Sequence, residues 1–152
     1  MYEIMDRFIG NIDAKTDVKG RVFIPAAFRK ILQTAVEVRL ILRKDIHQDC
    51  LVLFPASAWE RELTYLRSKL NKYDEEQQQF YRQYILDSEI VEMDSSGRIL
   101  IPKRYLQMAG ITGEVRFVGI DDTIEIWSRG KLEKPLIDPE TFKSNIHKYL
   151  IN

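Results

Sequence analysis

Two arginine residues, Arg21 and Arg98, each follow a glycine that an aspartate precedes by three positions. The segments Asp17–Pro25 and Asp94–Pro102 share five of nine residues at an offset of 77 positions. An aspartate carboxylate accepts nearby backbone N–H groups, and glycine adopts positive φ without steric cost, so each copy predicts a tight turn that leads into a strand. An arginine at such a hairpin tip is suited to binding a phosphate or a carboxylate.

Basic residues are concentrated around the first turn. Residues 15–30 contain five basic residues and one acidic residue, a net charge of +4, whereas the equivalent residues 92–107 carry a net charge of +1. The whole chain has 23 basic and 23 acidic residues, so the first turn is the basic pole of a neutral molecule. This difference predicts that the first copy contacts DNA and that the second serves mainly as scaffold and subunit contact. The candidate DNA-binding residues are Lys15, Lys19, Arg21, Arg29 and Arg98, and the turn-forming residues are Asp17, Gly20, Asp94 and Gly97.

An alternative interpretation remains for both arginines. Arg21 could lie in a solvated loop with a local ion pair to Asp17, and Arg98 could brace its own turn through Asp94 or contribute to an interface.

The elements that must position these turns are mostly short strands, since apolar residues alternate along them or run without interruption. The predicted strands are residues 8–12, 22–24, 36–42, 50–54, 90–93, 99–101, 115–120 and 123–127. We expect strand 8–12 to pair with the strand that leaves the first turn. Short helices are predicted after the two turn motifs, at 26–33 and 103–109.

A helical hairpin is predicted between the two halves. Ser57 and Glu60 have the spacing of a capping box, and Asp74 is the predicted N-cap of the second helix. The apolar positions expected to face the core are Trp59, Leu63, Leu66, Leu70 and Tyr73 in the first helix, with Phe80 and Tyr84, followed by Tyr81 and Ile85, in the second.

The predicted fold class is α+β, mainly β. We divide the chain into a first domain at 7–56, a connecting helical hairpin at 57–87, a second domain at 88–134 and a C-terminal tail at 135–152. Residues 1–7 are interpreted as a frayed lead-in, and the tail is expected to be weakly ordered although its apolar residues have roughly helical spacing.

Composition excludes several classes of protein. The chain of 152 residues has no apolar run of 18 residues and no signal-peptide pattern at its start, which predicts a cytoplasmic protein without a membrane partner. Cys50 is the only cysteine, so an intrachain disulfide is impossible, and we expect no cysteine-based zinc site. His47 and His147 lack catalytic neighbours at a recognised spacing. We therefore expect no enzymatic activity, cofactor, metal or small-molecule substrate.

Together these residues resemble the MraZ family of bacterial transcriptional regulators, which carry two SpoVT-AbrB domains. The resemblance covers about residues 7–134 and rests on the two turn motifs together with Phe8, Gly10, Phe28, Arg29, Ala109, Gly110, Ile124, Ile126 and Trp127. It implies a nucleoid-associated protein that binds double-stranded DNA at direct repeats upstream of the division and cell-wall gene cluster, its own gene included. It also implies a ring-shaped homo-oligomer and two swapped-hairpin halves that form a barrel-like pseudo-dimer.

Two other classes of function remain possible from the sequence. An enzyme on the same fold would need a pocket with perturbed titratable groups, and an antitoxin-like or structural binding module would direct the turn arginines to protein carboxylates.

Overall fold

A computed structural model describes residues 7–151 of the chain. Most of the expected lead-in, residues 1–6, lies outside the described residues, as does Asn152 at the end of the tail. Arg7 is described, and its guanidinium donates to the Asp121 carboxylate at 2.6 Å.

Eight strands and five α-helices alternate along the chain in two similar halves. The strands are β1 (Phe8–Lys15), β2 (Arg21–Phe23), β3 (Arg39–Lys44), β4 (Leu51–Pro55), β5 (Ser88–Glu92), β6 (Arg98–Leu100), β7 (Glu114–Asp121) and β8 (Thr123–Ser128). The α-helices are α1 (Ala26–Thr34), α2 (Ala56–Lys69), α3 (Glu75–Leu86), α4 (Lys103–Met108) and α5 (Pro139–Ile146). The predicted α+β class, mainly β, is confirmed.

The strands form two antiparallel sheets. Six of them are ordered β1-β7-β8-β4-β3-β5, and β2 pairs with β6 in a two-stranded ribbon. The larger sheet is open, and the described strands do not close into a barrel. The predicted pairing of the first strand with β2 is wrong, because β1 forms its ladder with β7 in the other half. In the same way β5 of the second half pairs with β3 of the first.

The main hydrophobic core lies on one face of this sheet and contains residues from both halves. Leu40 and Leu42 from β3 share one cluster with Val115 and Phe117 from β7, and all four are fully buried. This mixing follows from the strand pairing, since adjacent strands in a sheet place their inward residues on a common face.

A second, smaller cluster covers the opposite face of β3 and β4. Phe54 packs edge-on against Trp59 of α2 with ring centroids 5.1 Å apart, and Ile41 and Tyr84 complete the cluster. Burial on both faces explains why Ile41 interrupts the alternation of polar and apolar residues in this segment.

The side chain of Arg43 is also buried on this second face. The alternation predicts a solvent-facing arginine, but the residue is only 7% exposed. Its guanidinium lies 3.9 Å from the ring centroid of Tyr84 on α3 and donates to the backbone oxygen of that residue. The predicted start of strand β3 is also wrong, because Val36 lies in a turn at φ 55° and the strand begins at Arg39.

The two central helices begin differently. The predicted capping box at the start of α2 is wrong: Pro55 is the N-cap, and the amide and hydroxyl of Ser57 donate to the Glu37 carboxylate at 2.7 and 3.0 Å. Helix α3 begins as predicted, with the Asp74 carboxylate accepting the amide of Gln77.

Two aromatic residues of this region lie outside the core. Tyr73 is 86% exposed and Phe80 is 54% exposed, so their predicted inward positions are wrong. Tyr73 lies in the turn between the two helices and cannot continue the apolar stripe of α2.

The C-terminal tail is more regular than the sequence predicts. Asp138 caps α5 by accepting the amide of Thr141, and a π-helical turn at His147–Ile151 follows. Among the described residues, no helix is long and apolar enough to span a membrane.

Candidate nucleic-acid interface

The first turn is closed by the carboxylate of Asp17. One carboxylate oxygen accepts the amides of Lys19 and Arg21, both at 2.9 Å, and the other accepts the Arg21 Nε at 2.7 Å. The amide of Gly20 donates to the backbone oxygen of Asp17 at 3.0 Å, and Gly20 has φ +92°. These donors, chiefly the Arg21 amide, hold the pKa of Asp17 below its usual value.

The second turn repeats this geometry. The Asp94 carboxylate accepts the amides of Ser96 and Arg98 at 3.0 and 2.9 Å, and the Arg98 Nε lies 3.1 Å away. The Ser96 hydroxyl adds a fourth donor at 2.8 Å, and Gly97 has φ +93°. The pKa of Asp94 is strongly lowered, first by the Arg98 amide and then by the Ser96 hydroxyl.

The ribbon β2–β6 joins the two turns. The amide of Ile24 donates to Gly97 O at 3.0 Å, and the equivalent amide of Ile101 donates to Gly20 O at 2.9 Å. Each turn is therefore held by the strand that leaves the other turn.

The outer face of this ribbon displays both turn arginines. Arg21 pairs with Leu100 and Phe23 pairs with Arg98 in the antiparallel register. Because Val22 between them is buried, these four side chains share the outward face. Arg21 and Arg98 are diagonal neighbours across the two strands, a relation in which the backbone positions are about 7–8 Å apart.

Apolar side chains separate the arginines on this face, a feature that the sequence interpretation missed. Phe23 is 53% exposed and Leu100 is 52% exposed. The Arg98 guanidinium lies 5.8 Å from the Phe23 ring centroid. The signal was present in the sequence, since a strand with an inward Val22 must point the residues on either side outward.

Two predicted site residues are exposed near the first turn: Lys19 lies within the turn, and Lys15 is the last residue of β1, opposite Glu114. Within residues 7–151 neither ammonium group makes a hydrogen bond or an ion pair. The positions 77 residues later are Glu92 and Ser96, which explains the weaker positive charge at the second tip.

The remaining predicted site residue, Arg29, lies beneath the second turn. Its guanidinium donates to Ile24 O at 2.9 Å, and its side chain packs so closely on Gly97 that a methyl group there would collide with it. Leu106 occupies the equivalent place under Gly20. The structure thus brings Arg21 and Arg98 together on one face and places Arg29 behind them.

A separate group of potential metal ligands lies away from this ribbon. Asp45, Cys50 and Glu125 come together in the described part of the chain, with one donor atom of each within 4.8 Å of the others.

Comparison with known proteins identifies the family. Residues 8–83 and 85–136 match the family model described as "MraZ protein, putative antitoxin-like". The chain is 54% identical over 146 residues to "Transcriptional regulator MraZ" of Bacteroides thetaiotaomicron, a match that covers 96% of this chain and 94% of the relative. The protein of the same name from Phocaeicola vulgatus is 52% identical, covering 95% and 94%, and that from Christiangramia forsetii is 31% identical, covering 88% and 86%. The chain therefore belongs to the MraZ family.

Proposed function

We propose that this protein is a DNA-binding transcriptional regulator whose contact surface is the outer face of the β2–β6 ribbon together with its two turn tips. The observation that carries the proposal is the placement of Arg21 and Arg98 on one exposed face, together with the exposed Lys15 and Lys19, whose ammonium groups make no hydrogen bond or ion pair within residues 7–151. The relatives' name, "Transcriptional regulator MraZ", supports the regulatory role.

The two arginines are prepared to bind an anion. Each guanidinium uses Nε to bind its own aspartate, and within the described residues the terminal nitrogens of Arg21 and Arg98 make no hydrogen bond. A fixed guanidinium with free terminal N–H groups loses less conformational entropy when it binds a phosphate or a base edge.

The size of the ribbon suits the major groove. That groove is about 12 Å wide and admits a two-stranded ribbon, as in other β-ribbon readers of DNA. Phe23 and Leu100 on the outer face could contact thymine methyl groups, and the lysines of the first tip could neutralise phosphates.

The target and the assembly are inferred from the resemblance to the family. We assign direct repeats upstream of the division and cell-wall gene cluster as the DNA site, a ring-shaped homo-oligomer as the binding form and the nucleoid as its location. The two SpoVT-AbrB domains, 7–56 and 88–134, would form a swapped-hairpin pseudo-dimer. The exchange of β1 and β5 between the halves supports this inference.

The proposal is tested first by selecting bound sequences from a random DNA pool with the purified protein. Fluorescence anisotropy on the selected DNA then compares Arg21→Ala and Arg98→Ala with the matched control Arg67→Ala. Arg67 is exposed in the last turn of α2, the helix that packs on the face of β3 and β4 opposite the main core. Loss of one turn arginine should weaken binding by about 1–3 kcal/mol per subunit, with a larger loss for Arg21, while the control binds normally.

The measurement also distinguishes DNA binding from the rival function. In an antitoxin-like binding module the turn arginines would meet protein carboxylates, a contact that both already make with their own aspartates. Failure of the random pool to enrich any sequence, or unchanged affinity in both arginine variants, would contradict the proposed interface and favour the rival.

A further inference from the structure

A thiol and two carboxylates converge where the two halves meet. Asp45 directly follows β3, Cys50 directly precedes β4, and Glu125 lies in the middle of β8. The register of β4 on β8 places Val52 opposite Glu125, which brings the β3–β4 loop beside β8. One donor atom from each of the three side chains lies within 4.8 Å of the other two.

Each carboxylate has one oxygen that accepts hydrogen bonds from the protein and one that accepts none from the described residues. The Oδ2 atom of Asp45 accepts the amides of His47 and Gln48, both at 3.0 Å. The Oε1 atom of Glu125 accepts the indole N–H of Trp127 at 2.9 Å. These bonds fix the orientation of both groups, as supporting hydrogen bonds do around metal ligands.

The Cys50 thiol is buried beside the two carboxylates and lacks a hydrogen-bonding partner among the described residues. Cys50 is fully buried, and its sulfur makes no hydrogen bond within residues 7–151. The sulfur lies within 4.8 Å of a carboxylate oxygen of Asp45 and of Glu125, so its surroundings are not purely apolar. Burial, followed by the charges of Glu125 and Asp45, raises the pKa of the Cys50 thiol to about 12.

Two nearby lysines, Lys44 and Lys131, offset part of the negative charge around Cys50 but make no ion pair with either carboxylate in the described structure. Lys44 donates to the backbone oxygens of Asp45 and Gln48 and lies 3.5 Å from the Asp49 carboxylate. Lys131 donates to the backbone oxygens of Asp49 and Ala109. In the described structure neither Asp45 nor Glu125 forms an ion pair with a lysine or arginine.

We propose that Asp45, Cys50 and Glu125 bind a divalent transition-metal ion, preferentially Zn²⁺, which joins the β3–β4 loop of the first half to β8 of the second. Cysteine sulfur and carboxylate oxygens are both zinc ligands in proteins, and tetrahedral coordination requires about 3.5 Å between donor atoms. Small side-chain movements would close the present spacing to that value. Asp45 and Glu125 also line a cavity of about 490 Å³, which leaves the fourth position open to water.

Cobalt titration of the untagged full chain tests the proposal, since Co²⁺ substitutes for Zn²⁺ and reports its ligands by absorption. Cys50 is the only cysteine, so a thiolate-to-cobalt charge-transfer band can arise from no other residue. We expect one Co²⁺ per chain with this band, its displacement by one equivalent of Zn²⁺, and a rise in Tm with Zn²⁺.

Variants identify the ligands. Cys50→Ser should abolish the band, and Glu125→Gln should weaken metal binding by more than about 10-fold, the smallest loss typical of changing even a residue that only supports a ligand. Asp49→Asn is the matched control, because this exposed carboxylate belongs to the same loop but not to the group, and it should bind normally. Far-ultraviolet circular dichroism of the metal-free variants verifies folding. If Cys50→Ser fails to fold, the isosteric Glu125→Gln decides. Absence of the charge-transfer band in the wild type, or equal affinity in Glu125→Gln and Asp49→Asn, would overturn the proposal.

Discussion

Lys19 and Ser96 occupy equivalent positions in the two turns but differ in charge. Their backbone amides make the same bond to the turn aspartate, and Arg21 and Arg98 each bind that aspartate through Nε, so the lysine charge is a direct difference between the two turns. We predict that Lys19→Ser lowers DNA affinity. It should also make the negative slope of log K against log salt shallower by about 0.9, the value for one phosphate contact. The reciprocal Ser96→Lys should increase both. Anisotropy titrations at several salt concentrations measure the slopes.

The reciprocal variant separates this explanation from an effect of folding. Ser96→Lys removes the hydroxyl bond to Asp94, so it should lower Tm slightly even as DNA binding improves. An unchanged salt slope in both variants would exclude phosphate contact at these positions.

The two turn glycines differ in what a side chain would meet. A methyl group on Gly20 would lie 2.6 Å from the backbone oxygen of Ile101, whereas one on Gly97 would meet the side chain of Arg29. Both residues have positive φ, which strains any other residue by about 1–3 kcal/mol. Because a backbone oxygen cannot move aside as a flexible arginine can, Gly20→Ala should destabilise the protein more than Gly97→Ala. Urea unfolding of the two variants checks the order. A larger loss for Gly97→Ala would show that Arg29 is held rigidly.

At the scale of the element, helix α2 begins through a contact that is remote in sequence. In its first turn, the amide and hydroxyl of Ser57 donate to the Glu37 carboxylate. The side chain of Glu60, the partner expected from the local spacing, makes no capping hydrogen bond among the described residues. We predict that Glu37→Ala lowers the free energy of unfolding by about 0.5–2 kcal/mol, as loss of a helix cap does. Glu60→Ala should change it by less than about 0.5 kcal/mol, as an exposed helix position does. Chemical denaturation measures both free energies of unfolding. A larger loss for Glu60→Ala than for Glu37→Ala would show that the local capping box forms after all.

At the scale of the whole molecule, the exchange of edge strands makes each half incomplete. β1 needs β7, β5 needs β3, and the main core takes residues from both halves. We predict that fragments 1–87 and 88–152 are unfolded separately and regain structure when mixed. Circular dichroism and size-exclusion chromatography of each fragment and of the mixture test this. A monomeric, cooperatively folded fragment would show that a half carries its own core.

The sequence determined the local features of this protein. Asp17 and Asp94, each followed by a glycine and an arginine, specify the two turns because their hydrogen bonds span no more than four residues. The short helices after each proline and the N-cap at Asp74 could be predicted for the same reason. Most strands could be predicted from the alternation of apolar residues along a short segment, although their partners could not. The division of the chain into domains and the DNA-contact residues remain predictions.

Only the tertiary structure decided which distant segments meet. The alternation of apolar residues indicates which side of a strand faces inward, but it does not indicate which strand lies beside it. The pairing of β1 with β7 could therefore not be derived from the local pattern. The same limit applies to the outward face shared by Arg21 and Arg98, to Arg43 beneath Tyr84, and to Cys50 beside Glu125. Each of these neighbours is chosen by the burial of apolar surface across the two halves, a property of the assembled core and not of any short segment.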